Sequence, residues 1–167
     1  VARNHGIKSA KSPFISFLDA DDIWLKDKIK HLFPLFKDPS LDVAYGAYVL
    51  DIKPGVKFTH KVVEGKPEKA HFLLSATLVR KAVFEKGYYF DEEFRLSEDL
   101  EWNNRIKADG LNIRVIDKPV FIYKIHGNNS CTLLCMLYLK YMLTAYPYLR
   151  LKPDNHMAVW SVSRGKS

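Results

Sequence analysis

An α/β fold is what this sequence predicts, on three observations. Short apolar runs of strand length alternate with stretches of helical periodicity. The first run, Phe14-Ile15-Ser16-Phe17-Leu18, stops abruptly at Asp19-Ala20-Asp21-Asp22, three carboxylates within four residues. Two later runs, Asn112 to Asp117 and Val120 to Ile125, follow a second helical pattern.

The elements follow in order. Val1 to Ala10 reads as a helix or turn entering the first strand. Residues 14 to 18 are too short for a typical helix and mostly apolar, the pattern of a strand buried on both faces. Leu25, Ile29, Leu32, Phe33 and Phe36 recur at helical spacing and predict an amphipathic helix over 24–37, kinked or shortened by Pro34. Trp24 is expected in the core. Val43 to Leu50 is a β-rich run, and Lys53-Pro54-Gly55 and Gly65-Lys66-Pro67 bracket a polar excursion. Phe72 to Ala76 and Leu78 to Phe84 are short apolar segments, and Gly87 opens a turn. Ser97 is a suitable N-cap, with Glu98 and Asp99 at the positive end of the helix dipole. Leu100, Ile106 and Ala108 would form its buried stripe and Gly110 its stop. Lys118-Pro119 separates the last two strands. Leu133 to Tyr146 is apolar but too short, and interrupted by Lys140, to span a bilayer. It is expected to pack on the core, with peripheral membrane contact helped by Arg150, Lys152, Arg164 and Lys166 as the lesser alternative.

At 167 residues the chain is one domain by length, and 47% apolar with 27% charged residues is ordinary for a soluble protein. A formal charge of +7 suggests affinity for anions. The lysines are scattered rather than massed, which disfavours nucleic acid as a partner. Cys131 and Cys135 read as buried thiols. No stretch resembles a signal peptide, so the expected setting is the reducing cytosol. Asn128-Asn129-Ser130 matches a glycosylation sequon that matters only in a secreted protein.

The acidic run carries the chemistry. In open α/β sheets ligands bind at the carboxyl ends of strands. Three acids at such an edge repel one another, and an all-oxygen donor set favours Mg²⁺ or Mn²⁺ over zinc. Because Mg²⁺ is usually shared between one or two carboxylates and substrate phosphates, the natural ligand is a phosphorylated small molecule. The alternative is a solvated turn in which Asp21 or Asp22 caps the following helix.

Several segments occur in a shared order: Ala2-Arg3-Asn4-His5-Gly6-Ile7, Phe17-Leu18-Asp19-Ala20-Asp21-Asp22-Ile23-Trp24, Gly87-Tyr88-Tyr89-Phe90-Asp91-Glu92, Ser97-Glu98-Asp99-Leu100-Glu101-Trp102 with Arg105-Ile106, and Tyr123-Lys124-Ile125-His126-Gly127-Asn128-Asn129-Ser130. Together they resemble the family-2 glycosyltransferases, inverting enzymes of GT-A type, over roughly residues 2 to 130. Two departures stand out. The family's first strand and the βα units that bind the nucleotide base would precede Val1, and Lys11-Ser12-Pro13 replaces a segment that usually holds Gly. The resemblance therefore implies an amino-terminally truncated GT-A-like mixed sheet over 1–130, with a carboxyl-terminal helix and tail over 131–167.

What the resemblance implies for the site is specific. Asp19 and Asp21 would be the Asp-x-Asp pair, one meeting ribose or metal and the other holding Mn²⁺ or Mg²⁺, and His126 would contact the metal or the diphosphate, or be an exposed loop histidine. Asp22 would be a third contact or a cap. Asp99 would be the base that takes the acceptor hydroxyl's proton, with Glu98 beside it, although acids in a helix's first turn also occur for dipole reasons alone. Arg3 and Asn4 would reach the nucleotide, unless Arg3 is a solvated helix residue. Arg105 would meet acceptor or phosphate, or be an exposed charge. Trp102 would stack on a sugar or lie in the core. The expected partners are a nucleotide-sugar donor and a saccharide or lipid-linked acceptor, in bacterial surface polysaccharide or lipopolysaccharide synthesis at the cytoplasmic face of the membrane. The alternative is a non-catalytic remnant or split half that binds diphosphate, self-associates, or meets a partner chain replacing the missing units.

Overall fold

The computed structural model describes residues 2–56, 66–70, 73–94 and 98–126, together with two short strands nearer the carboxyl terminus. The chain divides into two compact units, Val1–Asn129 and Ser130–Ser167. Within the first, a helix α1 (Ala2–Ser9) precedes a short strand β1 (Phe14–Ile15) and, after the acidic run, β2 (Ile23–Trp24). Helix α2 (Lys28–Leu32) runs into a 3-10 helix over Phe33–Lys37. Strands β3 (Val43–Ile52) and β4 (Glu68–Lys69) follow, then a 3-10 turn at Leu74–Ala76, β5 (Thr77–Arg80), α3 (Lys81–Glu85), α4 (Glu98–Ala108) and the long β6 (Ile113–Ile125). In the second unit, β7 (Leu149–Arg150) pairs antiparallel with β8 (Ser161–Val162).

The sheet runs β1-β5-β3-β6-β2, with β4 added beside β3. It is mixed: β3 and β6 are parallel, and the remaining pairs are antiparallel. Residues Val43 to Ala47 of β3 are buried without alternation, as a central strand covered on both faces requires. The core gathers Tyr45, Val79, Phe84, Trp102, Ile106 and Phe121 against this sheet. Gly110 ends α4 at φ 76°, a left-handed conformation that glycine adopts without steric cost, and the Leu111 N–H closes back on the Ile106 carbonyl at 3.0 Å.

Several elements differ from the sequence expectation. The strand expected over 14–18 pairs only at Phe14 and Ile15, on one side, against β5. Beyond it the Ser16 hydroxyl donates to the Thr77 carbonyl in place of a ladder bond, and Leu18 is exposed. The helix expected over 24–37 begins later, because Ile23 and Trp24 join β6 and the Leu25 N–H bonds the Val120 carbonyl at 2.9 Å. Pro34 lies in the first turn of the 3-10 segment, where its missing N–H is harmless. Of the expected stripe, Leu32 and Phe36 are buried while Ile29 and Phe33 are exposed, and Trp24 is on the surface rather than in the core. In α4 the buried face is Glu101, Trp102, Asn103 and Ile106, with Ala108 exposed.

Lys118-Pro119 does not separate two strands. It forms an irregularity inside β6, where the register against β3 shifts on either side of the Ala47–Pro119 pair. A bulge is where a sheet tolerates proline. Gly46 makes the irregularity possible: a Cβ there would lie 2.4 and 2.5 Å from the two Val120 methyls and 3.0 Å from the Lys118 carbonyl. We therefore expect Gly46→Ala to destabilise the fold by about 1–3 kcal/mol, the usual cost of overpacking. Urea unfolding would show a lower midpoint with an unchanged slope.

Ser97, Cys131, Cys135, the 128–130 sequon and the apolar stretch 133–146 lie outside the described residues, as does most of the polar excursion after Gly55. Among the described residues no helix is long and apolar enough to cross a membrane.

Candidate active site

The acidic run forms a reverse turn closed by the Asp22 N–H on the Asp19 carbonyl at 3.1 Å. Aspartate suits its first position. The turn lies between β1, which carries the chain toward it, and β2, which zips it onto β6. Its side chains point three ways.

Asp19 faces α1 and α4. Its Oδ1 accepts from Arg3 Nη2 at 2.6 Å, and Arg3 Nη1 donates to Glu98. One guanidinium thus holds two carboxylates that are far apart in sequence. Asp21 faces the end of β6, with Oδ2 3.0 Å from His126 Nε2. Asp22 turns inward. Its Oδ1 is buried without a hydrogen-bond partner, while the Ser75 hydroxyl and the Lys124 backbone N–H favour its charge. Desolvation dominates all the same and, with Asp19 and Asp21 nearby, pushes the Asp22 carboxyl up to about 6. Neither Asp21 nor Asp22 caps α2, which starts after Asp27 with no side-chain cap.

Asp99, the second residue of α4, lies beside this group. Burial pushes its carboxyl up to about 6, against a hydrogen bond from the Leu100 N–H at 2.8 Å. The Glu98 and Asp19 charges add to the rise, and Arg3 opposes it. Asp19, Asp21, Asp22, Glu98, Asp99, Arg3 and His126 are therefore one electrostatic neighbourhood.

The contacts expected of Asn4 and Arg105 are corrected, and Trp102 takes the core alternative. Asn4 is buried, and its amide clamps the 90–92 loop: Nδ2 donates to the Phe90 carbonyl at 2.8 Å and to Glu92 at 3.0 Å, and Oδ1 accepts from the Phe90 N–H at 3.0 Å. It has no face left for a nucleotide. Asn4→Ala should lower stability by about 2 kcal/mol through the orphaned Phe90 groups, with ligand affinity of the folded protein unchanged, as thermal melts and calorimetry would show. Trp102 is fully buried, stacked on Phe84 at 5.8 Å, with its indole N–H on the Tyr88 carbonyl at 2.7 Å, so it offers no face to a sugar. Arg105 is occupied by Glu101, at 2.7 and 3.0 Å, and by the Tyr89 carbonyl at 2.7 Å, which braces the 88–92 loop against α4.

Sequence reading missed Lys28 and Ser75. Lys28 is 1% exposed, its Nζ donating to the Ser75 carbonyl at 2.6 Å. A lysine in an amphipathic pattern reads as solvated, so no local signal could have found it. Beside Arg3, α1 and the start of β1 line an open cleft of about 330 Å³.

Among the described residues no group of three or more His, Cys, Asp and Glu side chains could hold a metal by itself. Asp21 and His126 nevertheless fit a hard divalent ion that takes its other ligands from phosphate and water. Their 3.0 Å separation matches the ~3.0 Å between adjacent ligands of an octahedral ion with ~2.1 Å bonds.

Comparison with known proteins bears on the family and the fold. The chain is 25% identical over 145 residues to the uncharacterized glycosyltransferase EpsJ of Bacillus subtilis (strain 168), covering 77% of this chain and 42% of EpsJ. It is 22% identical over 140 residues to the minor teichoic acid biosynthesis protein GgaB of the same organism, covering 77% of this chain and 15% of GgaB. It thus spans less than half the length of these relatives. Among solved structures, S. aureus TarS 1–349 in complex with UDP aligns with a TM-score of 0.52 at 19% identity, over 74% of this chain and 39% of TarS 1–349. The UDP-GlcNAc complex of the same protein also aligns at 0.52 with 19% identity, over 74% and 38%. These likenesses establish a partial fold of the GT-A type. The model of glycosyl transferase family 2 matches residues 1–97, more than half of the chain, and the chain belongs to that family.

Proposed function

We propose that this chain carries the catalytic part of a metal-assisted, inverting glycosyltransferase that moves a sugar from a nucleoside-diphosphate donor to an acceptor hydroxyl. The observation that carries the reading is the acidic turn, which presents Asp19 to Arg3 and Asp21 to His126 beside a largely buried Asp99. Asp99 takes the acceptor hydroxyl's proton as the acceptor oxygen bonds the anomeric carbon. The bond from that carbon to the diphosphate breaks on the opposite face, which inverts the centre. Asp21 and His126 would hold Mn²⁺ or Mg²⁺, and the ion would supply Lewis-acid stabilisation of the negative charge on the leaving diphosphate. Asp19 orients the ribose, and Arg3 fixes Asp19 and Glu98 around it.

The uridine complexes of TarS and the name of GgaB support a uridine-diphosphate sugar as donor and a cell-surface polymer or its lipid-linked precursor as acceptor. The expected setting is the cytoplasmic face of the membrane, where donor and lipid-linked acceptor meet. Calorimetry with UDP tests the reading: Mn²⁺ should tighten binding at least tenfold, and EDTA should abolish the gain. UDP binding unaffected by Mn²⁺ would contradict it. UDP binding without turnover of any nucleotide sugar would mark the alternative, a non-catalytic diphosphate-binding piece.

A further inference from the structure

Beneath the acidic turn lies a buried cation that the reaction just described does not use. Lys28 is 1% exposed, in the first turn of α2. A buried ammonium is costly unless its surroundings answer its charge. Three features do so. Nζ donates to the Ser75 carbonyl at 2.6 Å and stands 4.1 Å over the Trp24 ring; burial pulls the ammonium down to about 7, and the Asp22 carboxylate opposes that fall.

Each neighbour leads back to the turn. Ser75 Oγ accepts from the Asp19 N–H at 3.2 Å, and the same hydroxyl faces the Asp22 carboxylate. Trp24 Nε1 donates to the Phe17 carbonyl at 3.1 Å, two residues before Asp19. Asp22 also faces the backbone N–H of Lys124, two residues before His126. The ammonium thus ties together the chain entering the turn, the chain leaving it, and the Leu74–Ala76 segment below.

We propose that Lys28 is a positioning residue, whose buried ammonium holds the turn through Ser75, Trp24 and Asp22 in the geometry that presents Asp19 and Asp21 to the donor. Resting on the function proposed above, it names what pre-organises that site. A loop of adjacent carboxylates tends to spread through mutual repulsion, and an internal cation that never reaches solvent opposes this without competing for the ligand. Positioning of this kind acts on affinity and rate well beyond the contacts themselves.

The test compares Lys28→Met with the unaltered chain. Methionine keeps the unbranched shape and removes the charge, so the melting temperature should hold or rise, because a well-packed apolar side chain often replaces a buried charge without loss. UDP affinity in the presence of Mn²⁺ should fall at least tenfold, while the weaker affinity in EDTA should change less than twofold. A purely space-filling lysine would leave both affinities unchanged, and that result overturns the inference. Should Lys28→Met fail to fold, Ser75→Ala decides. It removes the hydroxyl between the Asp19 N–H and Asp22 but keeps the carbonyl that accepts from Lys28, and it should weaken Mn²⁺-dependent binding about fivefold; unchanged binding again overturns the proposal. If Mn²⁺ does not strengthen UDP binding by the unaltered chain, the proposed function itself fails. If it does, and a folded Lys28→Met binds equally well, only the role of Lys28 fails.

Discussion

Replacing Asp99 with Asn should reduce sugar transfer by about 10²–10⁴-fold, the range that a lost general base produces, while leaving Mn²⁺-dependent UDP affinity intact. Asp99 lies in the first turn of α4, largely buried, with its carboxyl pushed up to about 6 mainly by desolvation. Only the ionised form can accept the acceptor's proton. The rate of the unaltered enzyme should therefore rise as pH climbs through about 6 and level off above it, and the Asn variant should lack that limb.

The same substitution should stabilise the protein at neutral pH. The folded-state value lies above the ordinary 3.8, so the fold binds this proton more tightly than the unfolded chain does. The resulting stabilisation is complete below the ordinary value and is lost as pH rises through about 6. At pH 7 the buried charge is a standing cost, and Asn should relieve on the order of 1–3 kcal/mol of it. A variant both less stable at pH 7 and fully active would show that Asp99 is a structural acid of the helix start.

Asp21→Ala should abolish the Mn²⁺ enhancement of UDP binding, a loss of at least tenfold, and leave binding in EDTA nearly as it was. The effect should exceed that of removing any carboxylate outside the turn, because Asp21 is the acid that faces His126. Asp19→Ala should act differently. It releases Arg3 from one of its two carboxylates, so affinity should fall both with and without the ion.

Much of the placement of the candidate site's residues was legible in the sequence because they are concentrated in short segments. Asp19, Asp21, Glu98, Asp99 and His126 lie where a strand exit, a helix start and a strand end were expected, and the fold brings those ends together. What local pattern could not show was how the side chains are used. Asn4 and Arg105 read as polar groups free for a ligand, but the 88–92 loop crosses both and takes their hydrogen bonds. Trp24 is expected in the core and Trp102 either there or against a sugar, since an indole serves as core or as platform. Pairing of β2 with β6 left Trp24 outside, and the facing Phe84 enclosed Trp102.

The fold shows the same division. Strand and helix types followed from periodicity, whereas boundaries depended on partners distant in sequence. Ile23 and Trp24 fit a helix start by spacing, yet the ladder to β6 claims them. Lys118-Pro119 has the composition of a break, and only the missing side chain of Gly46 on the neighbouring strand lets β6 run through it. Lys28 escaped for a related reason. It looks solvated along the chain, and it is buried where its Nζ meets the Ser75 carbonyl.

The central claim is that Asp21 and His126 jointly seat a divalent ion. Anomalous scattering from crystals grown with Mn²⁺ and UDP tests it most directly. The account predicts a manganese peak about 2.1–2.3 Å from a carboxylate oxygen of Asp21 and from His126 Nε2, with diphosphate oxygens completing its shell. A peak elsewhere, or bound UDP with the imidazole still hydrogen-bonded to Asp21 and no metal between them, would contradict it.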